Sequence, residues 1–275
     1  MKILKIKVKE ALSKSGLPDL DYALNPYIGC SHGCIYCYAR EYTRYREVAT
    51  NWGKIVIVKE NLVEVLKREI KTHRKGVVGV GTITDAYQYI EKDYELTRRS
   101  IEILLEHGFR LSIQTKSPLV IRDLDILIDY RKSVDVGFTI TTVDDDIAKH
   151  IEPNAPPPRY RVEALYNISS YGIETWIFLG PIIPGINDDS SNIEKIVRIA
   201  KDTKSTLFYD KLRVKRFMYT SNILKPIIDR ISSYSWQNLY SRIENICRKY
   251  DVVCKPGFEY QSVEYRFTLN RFFRC

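Results

Sequence analysis

Short runs of β-branched residues alternate with segments of helical period along most of the chain. Residues 77–81, 110–115, 134–140, 174–180 and 206–209 read as strands, since each is a brief apolar run bounded by polar or turn-forming residues. Between them, Leu62, Val65, Leu66 and Ile70 share one helical face. Ile193, Ile196, Val197 and Ala200 do the same, after a cap at Asp188 or Asp189. Strand, helix, strand in regular succession is the pattern of βα units around a parallel sheet, with the helices packed outside. With a short strand ahead of Cys30 there are about six such units, fewer than the eight of a closed barrel. The expected fold class is α/β, a partial (β/α)6 barrel.

In such a fold, chemistry gathers where the strands end. Polar clusters lie there: Thr84 and Asp85 after one strand, residues 115–117 after the next, 139–142 after the next, and 181–187 after the last. From about Lys211 the rhythm fades into a Lys/Arg-rich connection, a helix over 236–248 and an aromatic, basic end. The expected division is a barrel over 1–210 and a helical, basic extension over 211–275 that acts as a lid or flank.

The 275 residues carry 43 Lys plus Arg against 34 Asp plus Glu, a formal charge of +9 that favours polyanionic partners such as nucleic acid. In the tail, Arg266, Arg271 and Arg274 interleave with Tyr260, Tyr265, Phe267, Phe272 and Phe273, so cations and base-stacking rings alternate. A basic lid with core aromatics would read the same. The opening segment alternates basic and apolar residues and builds neither a signal peptide nor a membrane helix, so the expected setting is cytoplasmic, with no membrane partner.

Three of the six cysteines fall within eight residues, in Asn25-Pro26-Tyr27-Ile28-Gly29-Cys30-Ser31-His32-Gly33-Cys34-Ile35-Tyr36-Cys37. This density indicates metal in a reducing compartment rather than structural bridges. Three thiolates spaced C-x3-C-x2-C can hold an iron-sulfur cube and leave its fourth iron open. Gly29 and Gly33 allow the tight loop, and Tyr36 can lay a face beside a ligand on the open iron. Zinc held by the same cysteines with His32 is the alternative, in a binding module without catalysis.

The cysteine motif resembles that of the radical SAM superfamily. With Thr82-Ile83-Thr84-Asp85-Ala86-Tyr87-Gln88, Leu96-Thr97-Arg98, Thr115-Lys116-Ser117, Arg122-Asp123, Ile151-Glu152-Pro153 and Pro181-Ile182-Ile183-Pro184-Gly185, the chain is similar to the spore photoproduct lyase-like branch. The resemblance implies a radical SAM-type barrel and a 4Fe-4S cluster on Cys30, Cys34 and Cys37. It also implies reductive cleavage of S-adenosyl-L-methionine to a 5′-deoxyadenosyl radical that abstracts hydrogen from a substrate. The electron would come from a donor such as ferredoxin or flavodoxin. Substrate candidates are a nucleic acid, in repair or modification, or else a protein or small molecule.

By the same resemblance, Lys116 and Thr139 meet the cofactor carboxylate and Asp85 meets its amine. Glu152 and Arg161 contact ribose and carboxylate or pair with each other as an exposed ion pair, and Ile183 (or Ile182) packs on adenine. Spore photoproduct lyase returns hydrogen from a cysteine after its second strand. Residues 81–85 here contain none, so that reaction is not expected. Cys247, Cys254 and Cys275 remain as hydrogen donors, auxiliary ligands or plain packing residues, the first two read as packing. His73, His107 and His150 should face solvent.

Overall fold

The computed structural model describes residues 1–257; the tail arginines and aromatics singled out above, and Cys275, lie outside the described residues. The strands are β1 (Lys2–Ile6), β2 (Leu12–Lys14), β3 (Tyr22–Leu24), β4 (Tyr27–Ile28), β5 (Ile55–Lys59), β6 (Val77–Val80), β7 (Arg110–Thr115), β8 (Val134–Thr139), β9 (Glu174–Ile182), β10 (Thr206–Lys211) and β11 (Cys254–Pro256). The main sheet has the order β11-β10-β9-β8-β7-β6-β3-β2. From β3 through β11 every pairing is parallel, and only the β2 edge is antiparallel. With β2 and β11 as its two edges the sheet stays open, as a partial barrel must.

The five strands expected from the pattern are all present, with ends shifted by up to two residues. Leu62, Val65, Leu66 and Ile70 are buried, as are Ile193, Ile196, Val197 and Ala200. Burying an aliphatic side chain of this size stabilises by about 1.5–3 kcal/mol, so these stripes are what hold the helices against the sheet. Asp189, not Asp188, caps the helix Ser190–Asp202 by accepting from Asn192 N at 2.9 Å. Asp188 instead accepts from Gly185 N at 2.7 Å.

Two features depart from the expectation. A second sheet, β1-β5-β4, braces the loop that carries the cysteines; β1 is basic and β4 has two residues, whereas β5 is a buried β-branched run, Ile55–Lys59, that the expected strands did not include. The βα rhythm also continues past Lys211. The helix Trp236–Tyr250 packs on the helix Ser190–Asp202, and β11 adds to the sheet in parallel beside β10. No helix among the described residues is long and apolar enough to cross a membrane.

The expectation that Cys247 and Cys254 are unbridged is corrected. Their sulfurs form a disulfide, with Cα atoms 6.2 Å apart. Asp251, at φ 55°, turns the chain back after the helix and brings the strand cysteine beside the helical one. Neither sulfur is then free to donate hydrogen or to ligate a second cluster. His107 and His150 are exposed as expected, whereas His73 is half-buried against the Tyr22 ring, centroids 5.3 Å apart.

Candidate active site

The cysteine loop leaves β4 and crosses the carboxyl ends of β6, β7 and β8. Gly29 has φ 86°, and a Cβ there would lie 2.8 Å from the Ile55 carbonyl, so the loop's entry is closed to any larger residue. Two side chains beyond β6 grip the same backbone. Thr84 Oγ1 donates to Gly29 O at 2.6 Å, and Gln88 accepts from Ser31 N at 2.8 Å while donating to Thr84 Oγ1 at 2.9 Å. Gln88 is fully buried. Sequence reasoning had included it only as part of a motif, because nothing local marks a glutamine as a loop clamp.

Cys30, Cys34 and Cys37 are free thiols, the first two buried and the third half-buried. Burial pushes all three thiols up, Cys34 to about 12, and repulsion from the neighbouring thiols adds to it at Cys30 and Cys34. Three thiolates collected in one dry loop therefore need a cationic centre, which a cluster iron supplies. Around one tetrahedral zinc, thiolates bound at about 2.3 Å would crowd within about 4 Å of each other. Among the described residues no group of three or more Cys, His, Asp or Glu side chains is already placed to hold a metal ion, zinc or iron alike. His32 is engaged elsewhere, with Nδ1 3.4 Å from Asp85 Oδ2, and burial lowers its pKa, so the ring is neutral at neutral pH. Three cysteines spaced C-x3-C-x2-C, with His32 turned to Asp85, are the donor set that suits an iron-sulfur cube with one open iron.

Beside the thiols lies a buried charged cluster. Tyr36 donates its hydroxyl proton to Glu152 Oε1, and Thr141 Oγ1 donates to the same oxygen at 3.1 Å. Arg161 Nη1 stands 2.5 Å from Glu152 Oε2, and Lys116 Nζ stands 3.9 Å from Oε1. Burial opposes the charge on Glu152, but Arg161 and Lys116 outweigh it and hold the carboxyl below its usual range. The exposed ion pair expected of Glu152 and Arg161 is corrected: both side chains are fully buried. Pro157 and Pro158 start the helix Pro158–Ser170 so that Arg161 turns inward, and its Nε donates to Pro156 O at 2.8 Å.

The cluster is not self-sufficient. Arg161 Nη2, Glu152 Oε2 and Ser31 Oγ are buried without a hydrogen-bond partner, although Oε2 still faces the arginine as an ion pair. Among the described residues, Lys116 Nζ makes no hydrogen bond. Two cations against one carboxylate leave this recess positive, which suits an added carboxylate group.

The other expected contacts divide. Thr139 is buried, and its Oγ1 already accepts from Gln114 Nε2 at 3.1 Å. Asp85 is occupied as a brace, accepting from Tyr87 N at 2.9 Å, Thr115 Oγ1 at 2.7 Å and Lys116 N at 2.7 Å. The geometry therefore gives Asp85 the task of fixing the strand end that carries Lys116. Ile183 is fully buried in an apolar cluster with Cys34, Tyr36, Ile151 and Met218, adjoining the thiols.

The family model of the radical SAM superfamily matches residues 24–200. The chain belongs to the radical SAM superfamily. An uncharacterised protein of Methanocaldococcus jannaschii is 36% identical over 215 residues, which span 78% of this chain and 79% of that one. An uncharacterised protein of Mycobacterium tuberculosis is 31% identical over 199 residues, 69% of this chain and 58% of its own length. Spore photoproduct lyase complexed with dinucleoside spore photoproduct has the same fold, at a TM-score of 0.70 and 13% identity over 93% of this chain and 82% of that one. A radical SAM methyltransferase from Sphaerobacter thermophilus matches at a TM-score of 0.57 and 16% identity, covering 89% of this chain and 68% of its own. The protein is accordingly a radical SAM enzyme with an α/β, partial-barrel fold.

Proposed function

We propose that this radical SAM enzyme holds a 4Fe-4S cluster on Cys30, Cys34 and Cys37, binds S-adenosyl-L-methionine beside it, and abstracts hydrogen from a nucleic-acid substrate. The observation that carries the reading is the juxtaposition of three free, buried thiols with a cationic recess whose Arg161 Nη2 has no partner. When bound, the two cofactors supply reductive cleavage of the sulfonium bond, with the electron delivered by a carrier of the ferredoxin or flavodoxin kind. The chain's own residues supply position. Lys116 and Arg161 offer donors to the cofactor carboxylate, Glu152 keeps both cations aimed, and Tyr36 and Ile183 line the apolar side. Thr139 braces the recess by offering its carbonyl to Arg161 Nη1 at 3.2 Å.

The nucleic-acid part of the reading rests on the net charge of +9. It is further supported by the shared fold of a lyase whose structure contains a dinucleoside. A cytoplasmic setting suits the three free thiols, while the Cys247–Cys254 bridge is of a kind uncommon there.

Anaerobic reconstitution tests the cofactor assignment. We expect about four irons per chain, lost when any one of Cys30, Cys34 or Cys37 is changed to Ala, and slow formation of 5′-deoxyadenosine with dithionite. Stoichiometric zinc without iron-sulfur absorbance would sink the assignment.

A further inference from the structure

Immediately after Cys37 the chain reads Tyr38-Ala39-Arg40-Glu41-Tyr42-Thr43-Arg44-Tyr45-Arg46, in which tyrosines and arginines interleave. The structure turns this segment outward at the mouth of the barrel. Tyr38 ties it to the end of β6, its hydroxyl donating to Thr82 O at 2.5 Å. Tyr38, Tyr42 and Tyr45 remain 46%, 60% and 41% exposed, and Arg44 and Arg46 are exposed beside them.

Across the mouth, the basic segment that follows β10 closes onto this one. Lys215 Nζ stands 5.7 Å from the Tyr42 ring centre, and Arg40 lies over the Phe217 ring at 4.3 Å. Glu41, the one acid of the segment, accepts from Arg216 N at 2.9 Å and so serves to join the two segments. What faces solvent is a cationic rim with rings between the charges. Exposed tyrosines occur elsewhere on this surface too, Tyr89 and Tyr171 among them, and what distinguishes the rim is that three follow one another in a single basic segment.

We propose that this rim seats a single strand of nucleic acid, with unpaired bases stacked on Tyr42 and Tyr45 and phosphates along Arg44, Arg46 and Lys215, and so leads a base toward the cysteine loop that ends at Cys37. The inference rests on the nucleic-acid reading above and narrows it to unpaired strands. Free aromatic faces add to binding only where bases are not already stacked on one another, whereas a duplex engages the cations alone.

The test is fluorescence anisotropy of the full chain with a labelled 20-nucleotide single strand, the same sequence as duplex, and polyphosphate as competitor, across a salt series. The single strand should bind more tightly than the duplex, and polyphosphate should compete weakly. Tyr42→Ala with Tyr45→Ala should weaken single-strand binding by roughly five- to 150-fold per lost stack, and Tyr42→Phe with Tyr45→Phe should restore it. Arg44→Ala with Arg46→Ala should lower the log-log salt slope by about 1.4, at about 0.7 per phosphate contact. Lys67→Ala with Arg68→Ala, exposed on the distant helix Leu62–Glu69, serves as the charge control and should change nothing.

Equal affinity for duplex, unchanged binding in the tyrosine variants, or equal loss in the Lys67/Arg68 variant would overturn the proposal. Iron content and cofactor cleavage without oligonucleotide, measured on the unsubstituted chain, fail or hold separately from these results. Their failure would overturn the cofactor reading instead.

Discussion

Glu91 and Glu152 are both fully buried carboxylates paired with arginines, in segments that follow β6 and β8, and they differ in what is left over. Each oxygen of Glu91 is matched. Oε2 accepts from the Tyr27 hydroxyl at 2.5 Å and from Thr97 N at 2.9 Å; Oε1 accepts from Arg122 Nη2 at 2.9 Å and Arg98 N at 3.1 Å. Arg122 and Arg98 are closed in turn by Asp123, which is itself fully buried, and of this group the neighbouring Tyr87 hydroxyl is left buried without a well-formed hydrogen bond. Around Glu152 the arginine has a nitrogen to spare, and the lysine is held near without being bonded. A saturated ionic network has spent its donors on the fold. One that keeps buried donors unmatched carries a desolvation cost that a bound water or a further ligand relieves. The contrast makes Glu91 architectural and is the ground on which Glu152 is proposed for binding.

The largest effect that would break this contrast is on stability. Glu91→Ala takes one of two carboxylates from the Arg122 guanidinium, leaving it only Asp123, and leaves the Thr97 and Arg98 backbone donors unmatched, so the apoprotein should lose about 3 kcal/mol of unfolding free energy. Urea denaturation followed by far-UV circular dichroism reads it as a lower midpoint at unchanged slope. A loss below about 1 kcal/mol would show that the network is not structural, since surface pairs contribute that much at most.

A smaller effect is expected on the other side. Lys116→Ala should weaken S-adenosyl-L-methionine binding to the reconstituted protein by about 1–3 kcal/mol, the range for losing a hydrogen bond to a charged group. Its cost to the apoprotein should be slight, because among the described residues Lys116 Nζ makes no hydrogen bond to lose. Isothermal titration gives the first quantity and the urea midpoint the second. Equal affinity in the variant would remove Lys116 from the recess, and a large fall in midpoint would make it a second architectural residue.

The two networks were unequally legible in the sequence. The Cys30, Cys34 and Cys37 motif, the five strands and Lys116 at the end of β7 could be read because each is local: a spacing, a run, or a charge just after a strand. Leu96-Thr97-Arg98 and Arg122-Asp123 were visible as motifs, but their task was not. The structure shows that they close around Glu91, 5 to 32 residues away in sequence, and pairing at such separations leaves no periodic trace.

Burial was the main blind spot. Arg161 sits in a helix of ordinary polar composition, and arginines in such helices are solvated far more often than enclosed, so an exposed pair with Glu152 was the natural expectation. The bracing part of Asp85 was equally hidden. A carboxylate after β6 suits a cofactor amine from sequence alone, and only the coordinates show backbone and hydroxyl donors already on it. The Cys247–Cys254 bridge escaped for a third reason: the left-handed turn at Asp251 that brings the two together has no marker such as glycine.

The smallest effect sharpens the contrast at the solvent edge of the saturated network, where Arg98 reaches out to Asp125. The two make a forked pair, Nη1 to Oδ1 at 2.9 Å and Nη2 to Oδ2 at 2.6 Å. Hydrogen bonding from Arg98 pulls the Asp125 carboxyl from 3.8 down to about 2. A carboxylate depressed in the folded state contributes stability that is fully present above its unfolded pKa. That contribution therefore stands above about pH 3.8 and is lost as pH falls through about 2. Asp125 is largely exposed, so solvent and salt screen the pair, and the contribution should be a small one. Comparing urea midpoints of the parent chain and Asp125→Asn between pH 6 and pH 2 isolates it. The two curves should differ slightly at pH 6, converge as the parent's carboxyl protonates, and differ less in 1 M salt. A gap that stays constant to pH 2 would mean that Asp125 acts through packing, and that the Arg98 fork adds nothing to the network behind it.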